Sequence, residues 1–124
     1  MTAYQVANWS TPPHVTHELL VNIAGSATIS TEDTAADLDG TVPVGVVTDS
    51  AFDTGDISFR VSVDGGTTYV PLYDNAGTRV TISSAEASRG YALDPTQFLA
   101  WDRVRVEVGT QADNTTITLV SRPL

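Results

Sequence analysis

Two histidines, fifteen acidic residues, six basic residues and no cysteine are the side chains this sequence offers for chemistry. His14 and His17 stand three apart, a spacing that would share a metal on a helix. Pro12 and Pro13 argue against a helix there, because proline removes a donor and clashes with the preceding turn. A zinc site needs further ligands, and none stands out. A calcium loop opening at Asp37-Leu38-Asp39-Gly40 would need Glu at its twelfth position, where Thr48 sits. Asp49, Asp53 and Asp56 could gather in one loop around calcium, but solvated carboxylates are the ordinary reading of such a cluster. Serine is plentiful, yet no Gly-x-Ser-x-Gly elbow is present and neither histidine is placed as a base. Paired carboxylates for glycoside hydrolysis need a cleft that a chain this small hardly builds. No catalytic centre, metal or cofactor is expected. The aromatics Tyr4, Trp9, Tyr69, Tyr73, Tyr91 and Trp101 could stack on sugars or anchor a protein partner. Core packing is the better reading for Trp101, which precedes a strand at a corner. It is the weaker reading for Tyr4 and Trp9, where no core pattern exists.

The 124 residues suffice for one domain. Charged residues are 17% and hydrophobic ones 41%, which excludes a charge-rich disordered chain. Every basic residue is Arg, and the net charge is −9. An acidic surface repels phosphate backbones and anionic lipid, so neither nucleic acid nor a membrane is an expected partner. Residues 1–8 carry neither a basic nor an apolar stretch, so no secretory signal is expected, and synthesis in the cytoplasm is. No apolar run approaches the roughly 18 residues of a membrane helix.

Thr and Val dominate, and Gly, Pro, Asp and Asn recur as turn punctuation at about the 8–12-residue spacing of all-β folds. Residues 1–15, with Trp9-Ser10-Thr11-Pro12-Pro13, read as an extended arm. Residues 16–124 read as a single domain. Strands are expected over 16–23, with Leu19, Val21 and Ile23 inward, and over 27–30 and 42–48, with Pro43 at an edge or at the strand's start. Residues 34–38 are expected as a helical turn or a loop. The run Ile57-Ser58-Phe59-Arg60-Val61-Ser62-Val63 alternates with period two. It should form a meander with 68–73 and 78–82. A helical turn is expected at 84–88, an extended piece at 90–93, and an Asp94-capped turn with Pro95 first. Val104, Val106 and Val108 face inward from one strand, Ile117 and Leu119 from the last. About eight strands fit an antiparallel β-sandwich of jelly-roll type.

Ser62-Val63-Asp64-Gly65-Gly66-Thr67-Thr68-Tyr69 fits the pattern S-x-D-x-G-x-T-[WY]. It resembles the Asp-box hairpin of sialidase-like propellers and other β proteins. Its physics is local: a carboxylate accepts backbone N–H groups across a turn, and glycine supplies positive φ. Ser62, Asp64, Gly66, Thr68 and Tyr69 are therefore read as structural turn residues.

The segment from Val61 to Asp74, the step Tyr91-Ala92-Leu93-Asp94-Pro95 with Phe98 and Trp101, and the close Thr116-Ile117-Thr118-Leu119-Val120-Ser121-Arg122-Pro123 together resemble small virion proteins of tailed bacteriophages. Size, acidity and β character are similar to capsid decoration, or cement, proteins. That resemblance implies a non-enzymatic protein on the capsid exterior, often trimeric, that binds the major capsid protein and grips it through an N-terminal arm. Tyr4, Val6, Trp9, Pro12 and Pro13 would be the arm's contacts. A tail or head-fibre component of the virion and a carbohydrate-binding module are the rival readings.

Overall fold

The computed structural model describes residues 17–30 and 36–123. The arm residues Tyr4, Val6, Trp9, Pro12 and Pro13 lie outside the described residues, as does His14.

The described residues form nine strands and one short 3-10 turn: β1 His17–Ile23, β2 Ala36–Asp37, β3 Thr41–Thr48, β4 Gly55–Ser62, β5 Val70–Pro71, β6 Thr81–Ala85, β7 Gly90–Ala92, the turn Pro95–Gln97, β8 Arg103–Val108 and β9 Thr115–Pro123. They make two antiparallel sheets. The first has the order β1-β9-β3-β7, the second β2-β8-β4-β5 with β6 also on β4. Period-two alternation sends one face of each sheet into a shared interior. Val21, Ile23, Val46, Ile117 and Leu119 come from the first sheet, and Ile57, Phe59, Val61, Val104, Val106 and Val108 from the second; all are buried in one cluster. The architecture is all-β and sandwich-like.

Several local expectations are corrected. β3 is not an edge strand of its sheet and Pro43 does not begin it; Pro43 is the third residue of β3, which runs between β9 and β7. It is tolerated because β7 pairs only with Gly45–Val47, so Pro43 has a neighbour on the β9 side alone, and the register shifts beside it. Ala36 and Asp37 are not helical but extended, paired with Val104 and Arg103. Residues 84–88 form no helical turn: β6 runs to Ala85, and Ser84 and Ser88 take φ of 52° and 56°. The run 27–30 makes one bridge, Ile29 to Glu107, instead of a strand.

The meander forms, with one addition. The run 68–73 pairs with 57–63 and the run 78–82 bridges back to 68–73, as expected. Beyond that, β6 returns to β4, so β5 and β6 take successive stretches of the same edge of β4. Val70 and Pro71 face Val61 and Arg60, while Thr81 and Ile82 face Ser58 and Ile57. Between them, residues 72–80 loop away and return. The loop is pinned at its base by Leu72 N–H donating to Phe59 O and Val80 N–H donating to Leu72 O, both at 3.0 Å. A Tyr73–Arg79 bridge closes its neck. Leu72 and Val80 are buried, so apolar burial at the base fixes the direction in which the polar tip projects.

Candidate functional site

The turn at 62–69 is held by its own side chains. Ser62 Oγ–H donates to Asp64 Oδ1 at 2.7 Å, and Ser62 Oγ accepts from Gly66 N–H at 3.0 Å. Asp64 Oδ1 accepts from Thr68 N–H at 2.9 Å, and Gly65 N–H donates to Asp102 Oδ2 at 3.1 Å, tying the turn to the start of β8. The Ser62 hydroxyl, then the Thr68 amide, hold the Asp64 carboxyl below its ordinary pKa. Gly66 has φ of +94°, and a Cβ there would lie 3.0 Å from Arg103 Cδ and 3.1 Å from the Tyr69 hydroxyl. Tyr69 is half-buried, with Arg105 Cζ 5.5 Å from its ring centroid. Ser62 Oγ and Asp64 Oδ1 are both engaged in holding the hairpin.

A second turn repeats the device ten residues later. Asp74 Oδ1 accepts from Ala76 N–H and Thr78 N–H, each at 2.9 Å, around Gly77 at φ +84°. The shared signal, Asp followed four positions on by Thr, is visible in the sequence at both sites. The second copy sits at the tip of the 72–80 excursion.

Opposite that tip lies the segment 94–101. Asp94 caps the 3-10 turn, its Oδ1 accepting from Thr96 N–H at 3.0 Å and from Thr96 Oγ1–H at 2.7 Å. Phe98 inserts into the core and meets Phe59 edge-on, centroids 5.3 Å apart and planes at 90°. Trp101 Nε1–H donates to Gln97 O at 3.0 Å, which fixes the indole. Between tip and turn is a cleft of about 520 Å³, lined by Leu72, Tyr73, Asp74, Asn75, Asp94, Thr96, Gln97, Ala100 and Trp101. Trp101 thus packs on the core with one part and lines the cleft with another. The sequence reading preferred the first role, named Trp101 and Tyr73 only among the aromatics that could stack on sugars, and did not bring Asp74 to the same place.

The outward faces of the two sheets differ in character. On the first, Leu20, Thr118, Val47 and Gly90 form one row across β1, β9, β3 and β7, and Glu18, Val120, Gly45 and Ala92 form the next. Glu18 is the single charge in these rows, and Leu20 and Val47 are 59% and 42% exposed. On the second, Arg60, Arg79, Arg103 and Arg105 gather. Arg79 Nη2 and Arg60 Nε reach Glu107 Oε1 at 2.8 and 3.2 Å, and Arg103 Nη2 reaches Asp37 Oδ2 at 3.2 Å. The Arg79 hydrogen bond, and behind it the Arg60 charge, hold Glu107 below its ordinary pKa against the opposing effect of partial burial.

A group whose pKa is lowered by folding adds stability above its unfolded pKa, and that stability is lost as pH falls through the folded one. The side chains here are partly exposed, so the effect is small. At pH 7 the wild type should exceed Glu107→Gln by about 0.5–1 kcal/mol in urea unfolding. The difference should close as pH falls below the ordinary glutamate value of about 4.3. A gap that persists at pH 2 would mean that the charge is not its source.

The acidic loop residues act separately. Asp49 Oδ2 accepts from Thr116 N–H, Asp53 Oδ2 from Ala112 N–H and Asp56 Oδ1 from Ser84 N–H, each at 2.8 Å. Among the described residues no three His, Asp or Glu side chains are grouped to hold a metal ion, and no helix is long and apolar enough to cross a membrane. No family model, no curated protein and no solved structure matches the chain.

Proposed function

We propose that this chain is a non-enzymatic structural protein of a tailed-phage virion that decorates the outside of the capsid, binding the major capsid protein as a homotrimer. The observation that carries the reading is the outward face of the first sheet. Its two central rows hold one charge, with Arg122 beyond them near the end of β9, in a chain of net charge −9, and expose Leu20 and Val47 on either side of Thr118. A low-charge, partly apolar sheet face fits a protein partner better than solvent. This face borders β1, the strand into which residues 1–15 lead.

The strand order supports a jelly roll as the body of such a protein. Pairing is nested: β1 with β9, β2 with β8, β3 with β7, and β4 with β5 and β6. That is the pattern of one long antiparallel ribbon folded over into two sheets, an architecture used in viral shells and lectins. The arm would add affinity by laying Tyr4, Val6, Trp9, Pro12 and Pro13 along the capsid surface. A protein that binds only the assembled shell stabilises it by mass action. The acidic exterior keeps free trimers soluble and apart from one another before docking.

Co-sedimentation with expanded capsids of the encoding phage tests this. The full chain should pellet with capsids at saturating stoichiometry. A chain lacking residues 1–15 should stay in the supernatant with its β circular-dichroism spectrum unchanged. Leu20→Glu with Val47→Glu should weaken binding about tenfold or more, as buried uncompensated charge does. A full chain that leaves the capsids bare would overturn the proposal. Sedimentation equilibrium of the free protein tests the trimer.

A further inference from the structure

The cleft between the 72–80 excursion and the 94–101 segment is not used by capsid docking as argued above, and its chemistry points elsewhere. We propose that it binds an uncharged sugar residue of a glycan, making the protein a carbohydrate-binding module as well as a structural one.

The first argument is the pairing of surfaces. Tyr73 is 55% exposed, and its ring is steadied by Arg79, whose Cζ lies 5.9 Å from the centroid. Trp101 is half-buried, its one polar atom already bonded to Gln97 O, so what it offers the cleft is aromatic surface. Flat aromatic faces on a rigid base take up the apolar C–H face of a pyranose with little loss of side-chain freedom.

The second is the inventory of polar groups. Asp74 and Asp94 each commit Oδ1 to their own turns, and Oδ2 of each is left for another donor. The Asn75 amide and Tyr73 hydroxyl on one wall and the Gln97 amide on the other add both donors and acceptors. A sugar hydroxyl is the ligand group that donates to a carboxylate and accepts from an amide at once. A cationic side chain could only donate and would leave the amide N–H groups without use.

The third is charge. Two carboxylates in a cleft of about 520 Å³ repel sulfated and sialylated glycans, which turns the site toward uncharged sugars. That volume falls within the roughly 300–1,000 Å³ range of small-molecule pockets. The tight turns at Asp74 and Asp94 and the Phe98 anchor mean that the walls are formed before a ligand arrives, which lowers the cost of binding.

The test is an array of neutral, sialylated and sulfated glycans probed with the full chain, followed by titration of the best neutral hit while the indole N–H resonances are recorded. Trp101 should shift on titration and Trp9 should not. Tyr73→Ala should weaken binding about tenfold, the loss expected for one stacking face. Gln97→Ala, which keeps the backbone acceptor of Trp101, should weaken it by a smaller factor. Neither change touches a buried core residue, and both variants should melt near the wild type. Three outcomes overturn the proposal: no neutral glycan bound; a preference for sulfated or sialylated ones or for an arginine-rich peptide included as a control; or glycan binding that Tyr73→Ala leaves intact. Capsid binding is read separately with the sheet-face variants, so either reading can fail without the other.

Discussion

Replacing Phe59 by alanine should cost this protein about 3–5 kcal/mol, the largest loss expected from any single side chain in it. Phe59 is fully buried on β4 and faces Phe98, itself 1% exposed, across the interior. Its removal opens a cavity at the place where the second sheet meets the 94–101 segment. Neither neighbour can fill it: β4 is paired on both sides, and Phe98 is held by the turn that follows Asp94. The edge-to-face contact is lost as well, worth about 0.5–1.5 kcal/mol beyond burial. For a chain of 124 residues this should lower the melting midpoint by about 10–20 °C. Phe59→Leu, which keeps most of the volume, should lose about half as much or less. Urea and thermal unfolding of the three proteins check the series. A loss below about 1.5 kcal/mol for the alanine variant would mean that the two rings do not form the centre of the core.

The second large effect belongs to a residue with no apolar character. Gln111 is 1% exposed, between β8 and β9. Its Oε1 accepts from Asp53 N–H at 2.9 Å and from Thr115 Oγ1–H at 3.3 Å, and its Nε2 donates to Gly109 O at 2.9 Å. One side chain thus joins the loop after β3 to the loop before β9. Gln111→Ala leaves the Asp53 amide and the Gly109 carbonyl without their partner, while the Thr115 hydroxyl keeps Asp113 O at 3.2 Å. Each lost bond costs about 0.5–1.5 kcal/mol, and the buried side chain is lost besides. The expected loss is about 2–3 kcal/mol, with the Asp53 amide proton losing its exchange protection. Gln111→Glu should not rescue the site, because the second carboxylate oxygen would meet the Gly109 carbonyl. Full stability in either variant would mean that these loops are held by other contacts.

Gln111 marks where the sequence stops being readable. Val104-x-Val106-x-Val108 and Ile57-x-Phe59-x-Val61 declare their inward faces, since a strand buried on one side has no other way to be written. The Asp64 turn is equally plain, because its bonds run between residues at most four apart. Ala36–Asp37 is too short to carry any period, and its extended form is imposed by β8. Pro43 misleads because it sits in an interior strand at the one stretch where a neighbour is missing. The cleft is the extreme case. Tyr73 and Asp74 lie twenty or more positions from Asp94 and Trp101, and they meet only because β5 and β6 share an edge of β4 while Phe98 anchors the opposite wall on Phe59. Nothing in the spacing of those residues encodes that meeting.

The place of β9 sets the order in which the body can be assembled. It lies between β1 and β3, with seven residue pairs on each side, and its partner His17 stands more than a hundred positions from Ser121. As the chain leaves the ribosome, β9 is the last of these elements to emerge. Until it does, among the described residues β1 has no strand partner and β3 keeps only the short β7. The second sheet can close early, whereas the first must wait for its keystone. During that interval two bare strand edges stand open, a state that favours pairing between neighbouring nascent chains and slows the final step.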